Sequence, residues 1–131
     1  MVNITIQDME NVLRGTVEEI NAKERFQKRV RKWVGDYYGK IIGWNFGEKS
    51  YHLIFMKDGT AKFGEGEYPA AETIILTDPE TWYNFLVKGF EYTKTAMTEG
   101  KIWIRGNFHE LMALNSNIVP IMQKFASKLQ S

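Results

Sequence analysis

Few side chains in this sequence are equipped for catalysis. His52 and His109 are its 2 histidines, and it contains 0 cysteines. Two isolated histidines without carboxylates at ligand spacing suit structural roles better than a metal site or a general base. The lack of cysteine removes thiolate nucleophiles, thiolate zinc sites and disulfides, and is compatible with a reducing compartment. Glu65, Glu67 and Glu99 lie near turn signals, in solvated positions poorly suited to general-acid work. No serine nucleophile elbow occurs. Gly64-Glu65-Gly66-Glu67 is glycine-rich, but acids flank the glycines and no helix follows, so it lacks the context of a phosphate-binding loop. These residues predict no catalytic constellation, no metal and no cofactor, and hence a protein that is not an enzyme.

Charge excludes another class. Lys and Arg number 17 against 16 Asp and Glu, a net charge of +1. A dedicated nucleic-acid binder needs a surplus of cations to neutralise phosphates, so no nucleic-acid partner is expected. The one basic cluster is Lys23, Arg25, Lys28, Arg29, Arg31 and Lys32. Arg25, Lys28, Arg29 and Lys32 share a helical face opposite Phe26, Val30 and Trp33. Such a face is the ordinary solvated side of a soluble helix. It also suits transient contact with an anionic membrane surface.

What the sequence has in surplus is rings: 8 Phe, 6 Tyr and 4 Trp among 131 residues. Aromatic side chains bury large areas, so a core or pocket here is built from them. Trp82, Phe85 and Leu86 recur at helical spacing, as do Ile118, Met122 and Phe125 beside Met112. These stripes fit plain core, and they equally fit the wall and lid of an apolar pocket. Hydrophobic residues make up 44% and charged residues 25%, a globular balance that argues against disorder. The length fits a single domain over residues 1–131. No run of roughly 18 apolar residues marks a membrane span. Met1 to Ile4 show no basic region leading into an apolar run, so no secretory signal is expected and the expected location is cytoplasmic.

The elements that must position these residues follow from local signals. Thr5 with Asp8 caps a helix bearing Met9, Val12, Leu13, Thr16, Val17 and Ile20. The stripe fails at Lys23 and Glu24 and resumes at Phe26, Val30, Trp33 and Val34, giving two helices or one kinked near Asn21. Asn21 with Glu24 forms a second capping box, and Gly35 closes the region. Ile42, Trp44 and Phe46 alternate as a half-buried strand. Tyr51 to Met56 is nearly continuously apolar, which predicts a strand covered on both faces. Asp58-Gly59 is a hairpin turn into an edge-like third strand around Ala61 and Phe63. Ile74 to Leu76 mark a fourth strand. Asp78, Pro79 and Glu80 open a helix that Gly89 ends. Thr93 to Glu99 form a short helix stopped by Gly100. Lys101 to Arg105 form a strand with Ile102 and Ile104 on one face. Asn107 with Glu110 caps a further helix, Asn115 to Asn117 interrupt it, and Pro120 restarts it.

From Glu72 to Leu114 the sequence reads ETIILTDPETWYNFLVKGFEYTKTAMTEGKIWIRGNFHELMAL. This stretch resembles the C-terminal half of the sterol-carrier-protein lipid-binding domain. The shared pattern is an apolar strand (Ile74 to Thr77), then a capped aromatic helix ending in glycine (Asp78 to Gly89). Ala96-Met97-Thr98-Glu99-Gly100-Lys101 follows, then the strand Ile102 to Ile104 and the Gly106-Asn107 turn into a final helix. Upstream, Phe55-Met56-Lys57-Asp58-Gly59 matches the family's lysine-acid-glycine hairpin. The match is good over roughly residues 50 to 115, and the N-terminal helices match only in pattern.

The resemblance implies an α+β fold: a five-stranded, twisted, mostly antiparallel sheet with helices mainly on one face. Between the layers it implies an apolar cavity carrying a fatty acid, fatty acyl-CoA or sterol-like lipid. The lining residues it suggests are Trp82, Phe85, Leu86, Phe90, Met97, Ile102, Ile104, Phe108, Met112, Ile118, Met122 and Phe125. Burying a methylene gains about 0.8 kcal/mol, so ~15 of them gain roughly 12 kcal/mol before association costs. Methionines such as Met97, Met112 and Met122 suit adaptable contacts. The sequence departs from the family at Trp103, where a polar residue is usual on the outer sheet face. A large ring there suggests an outer face covered by a homodimer partner or by the N-terminal helices, and a structural or dimerisation module is the alternative function. Ser127-Lys128-Leu129 resembles a peroxisomal address, but that signal is read only at a C-terminus and two residues follow.

Overall fold

The computed structural model describes residues 3–89 and 91–130. Helix α1 (Ile6–Ala22) starts at the expected capping box: the Asp8 amide donates to Thr5 Oγ1, and the Thr5 amide to Asp8 Oδ2. Its buried stripe is the one the spacing predicts, from Met9 to Ile20. The chain breaks at Lys23, and α2 (Glu24–Val34) follows and ends at Gly35. The second capping box does not form. Asn21 instead brackets the Ala61 backbone, accepting from its amide at 2.8 Å and donating to its carbonyl at 2.9 Å. A side chain that satisfies two backbone groups on a neighbouring strand gains more than a local cap.

The sheet comprises β1 (Gly39–Asn45), β2 (Ser50–Met56), β3 (Ala61–Glu65), β4 (Thr73–Thr77) and β5 (Ile102–Gly106), in the spatial order β3-β2-β1-β4-β5. The first three form the expected antiparallel meander, β4 joins β1 in parallel, and β5 returns antiparallel to β4. Between β4 and β5 run α3 (Pro79–Lys88) and α4 (Glu91–Thr98). After β5 come α5 (Phe108–Asn117), α6 (Val119–Ser127) and a 3-10 turn (Lys128–Gln130). Asn115 to Asn117 remain helical, and the break falls at Ile118, just before Pro120. The sheet is thus mixed, and the architecture is α+β.

Register explains which residues meet the helices. Trp44 pairs with Tyr51 and Ile75, Ile42 with Leu53, and Ile75 with Ile104, so these side chains share one face. All five central residues among them are buried: Ile42, Trp44, Tyr51, Leu53 and Ile75. On this face Trp33 of α2 tilts over Phe55, Arg14 of α1 lies over the Phe63 ring, and Trp82 of α3 meets Trp44. Helix α6 packs mainly on α1, α3 and α5. Its close approach to α1 depends on Gly15, where a Cβ would sit 2.8 Å from the Phe125 ring.

The opposite face carries no helix in any of these contacts, and two expectations change. Strand β2 is not covered on both sides: Tyr51, Leu53 and Phe55 are buried, while His52, Ile54 and Met56 are half-buried. The N-terminal helices do not cover Trp103, because α1 and α2 lie over the Tyr51–Phe55 side. Trp103 is 65% exposed.

Candidate functional site

The centre of the helix face is a layer of rings held by β1 and α3. Asp78 opens α3 by accepting from the Thr81 amide at 2.8 Å, and Pro79 occupies the first turn. That start sets the phase of the helix, so Trp82, Phe85 and Leu86 are buried, and Trp82 reaches Trp44 on β1. Trp82 and Phe85 stack, with centroids 4.6 Å apart, and the Trp82 ring meets Trp44 edge to face at 5.8 Å. All four side chains are at most 1% exposed. Ile102 is buried beside this layer and Ile104 half-buried at its margin.

The remaining expected lining residues lie elsewhere. Ile118 and Met122 are fully buried, in the layer where α6 packs on other helices, and Phe125 sits over Gly15. Gln123 donates to the Leu86 carbonyl and ties α6 to α3. Met97, Phe108 and Met112 face solvent, each more than 40% exposed. Phe90 lies outside the described residues. A periodic stripe reports that one side of a helix is apolar, but not whether that side meets the sheet, another helix or water.

Polar groups around the layer divide sharply. At its β1 end, Lys40 Nζ lies 2.5 Å from Glu110 Oε2 and 4.2 Å from the Tyr37 ring centroid. This buried pair anchors α5 to the sheet, so Glu110 does not complete the expected capping box, although Asn107 still accepts from the His109 and Glu110 amides. Beneath α1, the Tyr51 phenol is pushed up to about 12, first by burial and then by Glu10. Among the described residues, the indole N–H groups of Trp44 and Trp82 in the ring layer have no hydrogen-bond acceptor, and the buried hydroxyls of Tyr83 and Thr93 have no partner.

Two surface clefts meet at the carboxyl ends of β1 and β4. One, about 540 Å³, is bounded by Phe46, Leu76 and Trp103 with Asn45 and Lys101. The other, about 190 Å³, is polar and bounded by Glu80, Thr81, Asn84 and Tyr92. Asp78 and Lys101 stand in both, and none of the expected lipid-lining residues that are described bounds either. Glu99, 2.9 Å from Lys101 Nζ, raises that ammonium's pKa. Sequence reasoning missed these clefts because Phe46, Leu76 and Trp103 come from three separate strand regions and meet only through the β1–β4–β5 pairing.

Among the described residues no group of three His, Cys, Asp or Glu is placed to hold a metal ion. His52 Nδ1 lies 2.9 Å from the Gly66 carbonyl, its ring against Tyr68, while His109 is exposed. No described helix is long and apolar enough to cross a membrane. On α2, Arg25, Lys28, Arg29 and Lys32 are all exposed, and the Arg25 and Arg29 guanidinium groups flank the Phe26 ring. Tyr38, just beyond this helix, is 93% exposed.

The arrangement of layers matches known structures. The apo form of sterol carrier protein 2 from Yarrowia lipolytica superposes with a TM-score of 0.57 at 15% identity, over 86% of this chain and 88% of that one. A crystal structure of another sterol carrier protein 2 gives 0.51 at 19% identity, over 88% and 93%. This chain has a sterol-carrier-protein-2-like fold. The same fold unit occurs inside a larger protein: a stereoselective inverting sec-alkylsulfatase from Pseudomonas sp. matches with a TM-score of 0.56 at 17% identity. That match covers 68% of this chain, which spans only 14% of the enzyme's length. No protein-family model and no curated protein matches the sequence.

Proposed function

We propose that this sterol-carrier-like domain binds a long apolar ligand, a fatty acid, fatty acyl-CoA or sterol-like lipid, between its sheet and α3, without catalysing a reaction on it. The observation that carries this reading is the ring layer of Trp44, Trp82, Phe85 and Leu86, set between sheet and helix in that fold. The layer is filled by the protein's own rings. Binding therefore requires the Trp82–Phe85 stack to part and α3 to yield, with short α4 beside it. A chain of ~12 methylenes supplies roughly 10 kcal/mol of gross burial energy to offset that opening. Exposed Met97 lies on α4, which packs beside α3, and offers a flexible side chain there. The basic face of α2, with Tyr38 close by, is the proposed point of contact with an anionic membrane that delivers the lipid.

Native mass spectrometry after mild purification, followed by fatty-acid titration monitored through tryptophan emission, tests the reading. Co-purified lipid or saturable binding is expected. Neither lipid nor saturation in folded protein overturns it.

A second reading has its own observation. Trp103 is 65% exposed on a sheet face shared with half-buried Ile54 and Leu76. A homodimer burying this face would make the domain an assembly module. Light scattering that finds only monomer removes this reading.

A further inference from the structure

A sheet edge presents backbone donors and acceptors that the sheet itself does not use, and native proteins usually cover or blunt them. The two edges of this sheet, β3 and β5, are treated differently. On β3, the Gly66 amide donates to the Ser50 carbonyl at 2.7 Å, and bonded residues alternate along an antiparallel ladder. Ala61 therefore turns its amide and carbonyl away from β2, and Asn21 of α1 takes both. On β5, the Asn107 amide donates to the Glu72 carbonyl at 2.8 Å, and at the other end Thr77 Oγ1 donates to the Lys101 carbonyl at 2.8 Å. By the same alternation Trp103 and Arg105 bond to β4, while Ile104 turns its amide and carbonyl to the open edge. Among the described residues no partner takes them. The side chains beside that opening are a ring and a cation. Trp103 is 65% exposed and the Arg105 side chain 60%, both on the outer face.

We propose that β5 is a pairing edge for a second copy of this chain, through antiparallel addition of β5 to β5 about a two-fold axis at Ile104. The proposal rests on the reading of the domain as an assembly module and moves the contact from the face of the sheet to its edge. An axis at Ile104 sets the Ile104 amide of each copy against the carbonyl of the same residue in the other. On the outer face this register puts Trp103 of one copy opposite Arg105 of the other, twice, as a ring–guanidinium pair. Glu67, 2.9 Å from Arg105, already offsets a charge that would otherwise protect the edge. Neighbouring registers lack this fit. An axis at Trp103 brings Lys101 against Arg105, and one at Arg105 sets two guanidinium groups together. At the ends, the axis carries exposed Met97, on the helix that packs on β5, toward the Gly106 end of the other copy, where exposed Phe108 begins α5. One short strand is a small contact, so the pairing is weak and reversible.

Sedimentation velocity across a dilution series of the full chain, with amide hydrogen exchange at each end of the series, tests the contact. A monomer–dimer equilibrium with a midpoint on the order of 100 µM is expected, the weak class of a small interface. The Ile104 amide should exchange freely in dilute protein and become protected in concentrated protein. Ile104→Pro deletes that outward amide and leaves the ladder to β4 in place, so it should weaken dimerisation by at least about tenfold. Trp103→Ser, which keeps every backbone group, should weaken it by a similar factor. In the dilute protein of an unfolding titration the chain is single and Trp103 stays solvated. The exchange measurement decides the case even if the proline variant fails to fold. A dimer in which Ile104 exchange ignores concentration, or which folded Ile104→Pro leaves intact, overturns the edge contact and leaves the assembly reading to the sheet face. Monomer alone at every concentration overturns both.

Discussion

The two faces of the sheet each leave a different half of tryptophan unsatisfied. Inside, Trp44 and Trp82 have their carbon fully buried and their N–H groups unpartnered. Outside, Trp103 has its N–H paired, donating to the Gly100 carbonyl at 3.3 Å, while most of its ring stays in water. The inner face has met the demand for apolar burial, and among the described residues neither indole has an acceptor. The outer face has met the demand for hydrogen bonding and lacks apolar cover. Burial of a tryptophan brings ring and N–H together only when the pocket offers both kinds of neighbour. The two faces thus differ in what burial has left undone: hydrogen bonding inside, apolar cover outside.

Four substitutions test this contrast, from large effect to small. Phe85→Asp places a carboxylate against Trp82 in a fully buried ring layer. It is expected to cost more than about 4 kcal/mol and to abolish lipid binding, measured by urea unfolding and by titration of whatever fraction folds. A well-folded variant with unchanged affinity would remove Phe85 from the ligand's path. Glu110→Ala leaves Lys40 buried without its carboxylate and is expected to cost about 3 kcal/mol. Pairing it with Lys40→Met should recover most of that loss, and failure to recover it would show that the ion pair matters for more than neutralising a charge.

The outer face should respond more weakly. Gly64 lies beneath the His52 ring, and a Cβ there would overlap Nε2 and Cε1. Gly64→Ala is therefore expected to push His52 off the Gly66 carbonyl at a cost of about 1 kcal/mol, visible as a lower urea midpoint. Trp103→Ser should change stability by no more than about 0.5 kcal/mol, because the ring is mostly solvated in the single chain. A much larger loss that depends on protein concentration would mean that the outer face is buried in a dimer, and would turn the comparison on its head.

How much of this could be seen in the sequence differs from element to element. The start of α3 was legible down to the residue, since Asp78, Pro79 and Glu80 act through local backbone groups. The hairpin at Asp58-Gly59 and the capping box at Thr5 were legible for the same reason. Asn21 and Glu110 carried equally good local signals and were drawn away by distant partners, Ala61 and Lys40. The ring layer was half legible. The stripe of Trp82, Phe85 and Leu86 foretold an apolar side, but the same pattern on α5 and α6 led to Met112 at the surface and to Phe125 over Gly15. The meeting of Phe46, Leu76 and Trp103 at one cleft could not be read at all.

By itself the sequence determined the order of helices and strands, their caps and turns, the α+β class and the abundance of rings. Each of these rests on interactions spanning a few residues, whose geometry the backbone repeats everywhere. Only the tertiary structure decided that β4 would lie parallel to β1, that α1 and α2 would leave Trp103 exposed, and that the Trp44 and Trp82 rings would meet. Those outcomes depend on which surfaces meet across the chain, and burial, unlike capping, belongs to the pair of surfaces and not to either segment alone.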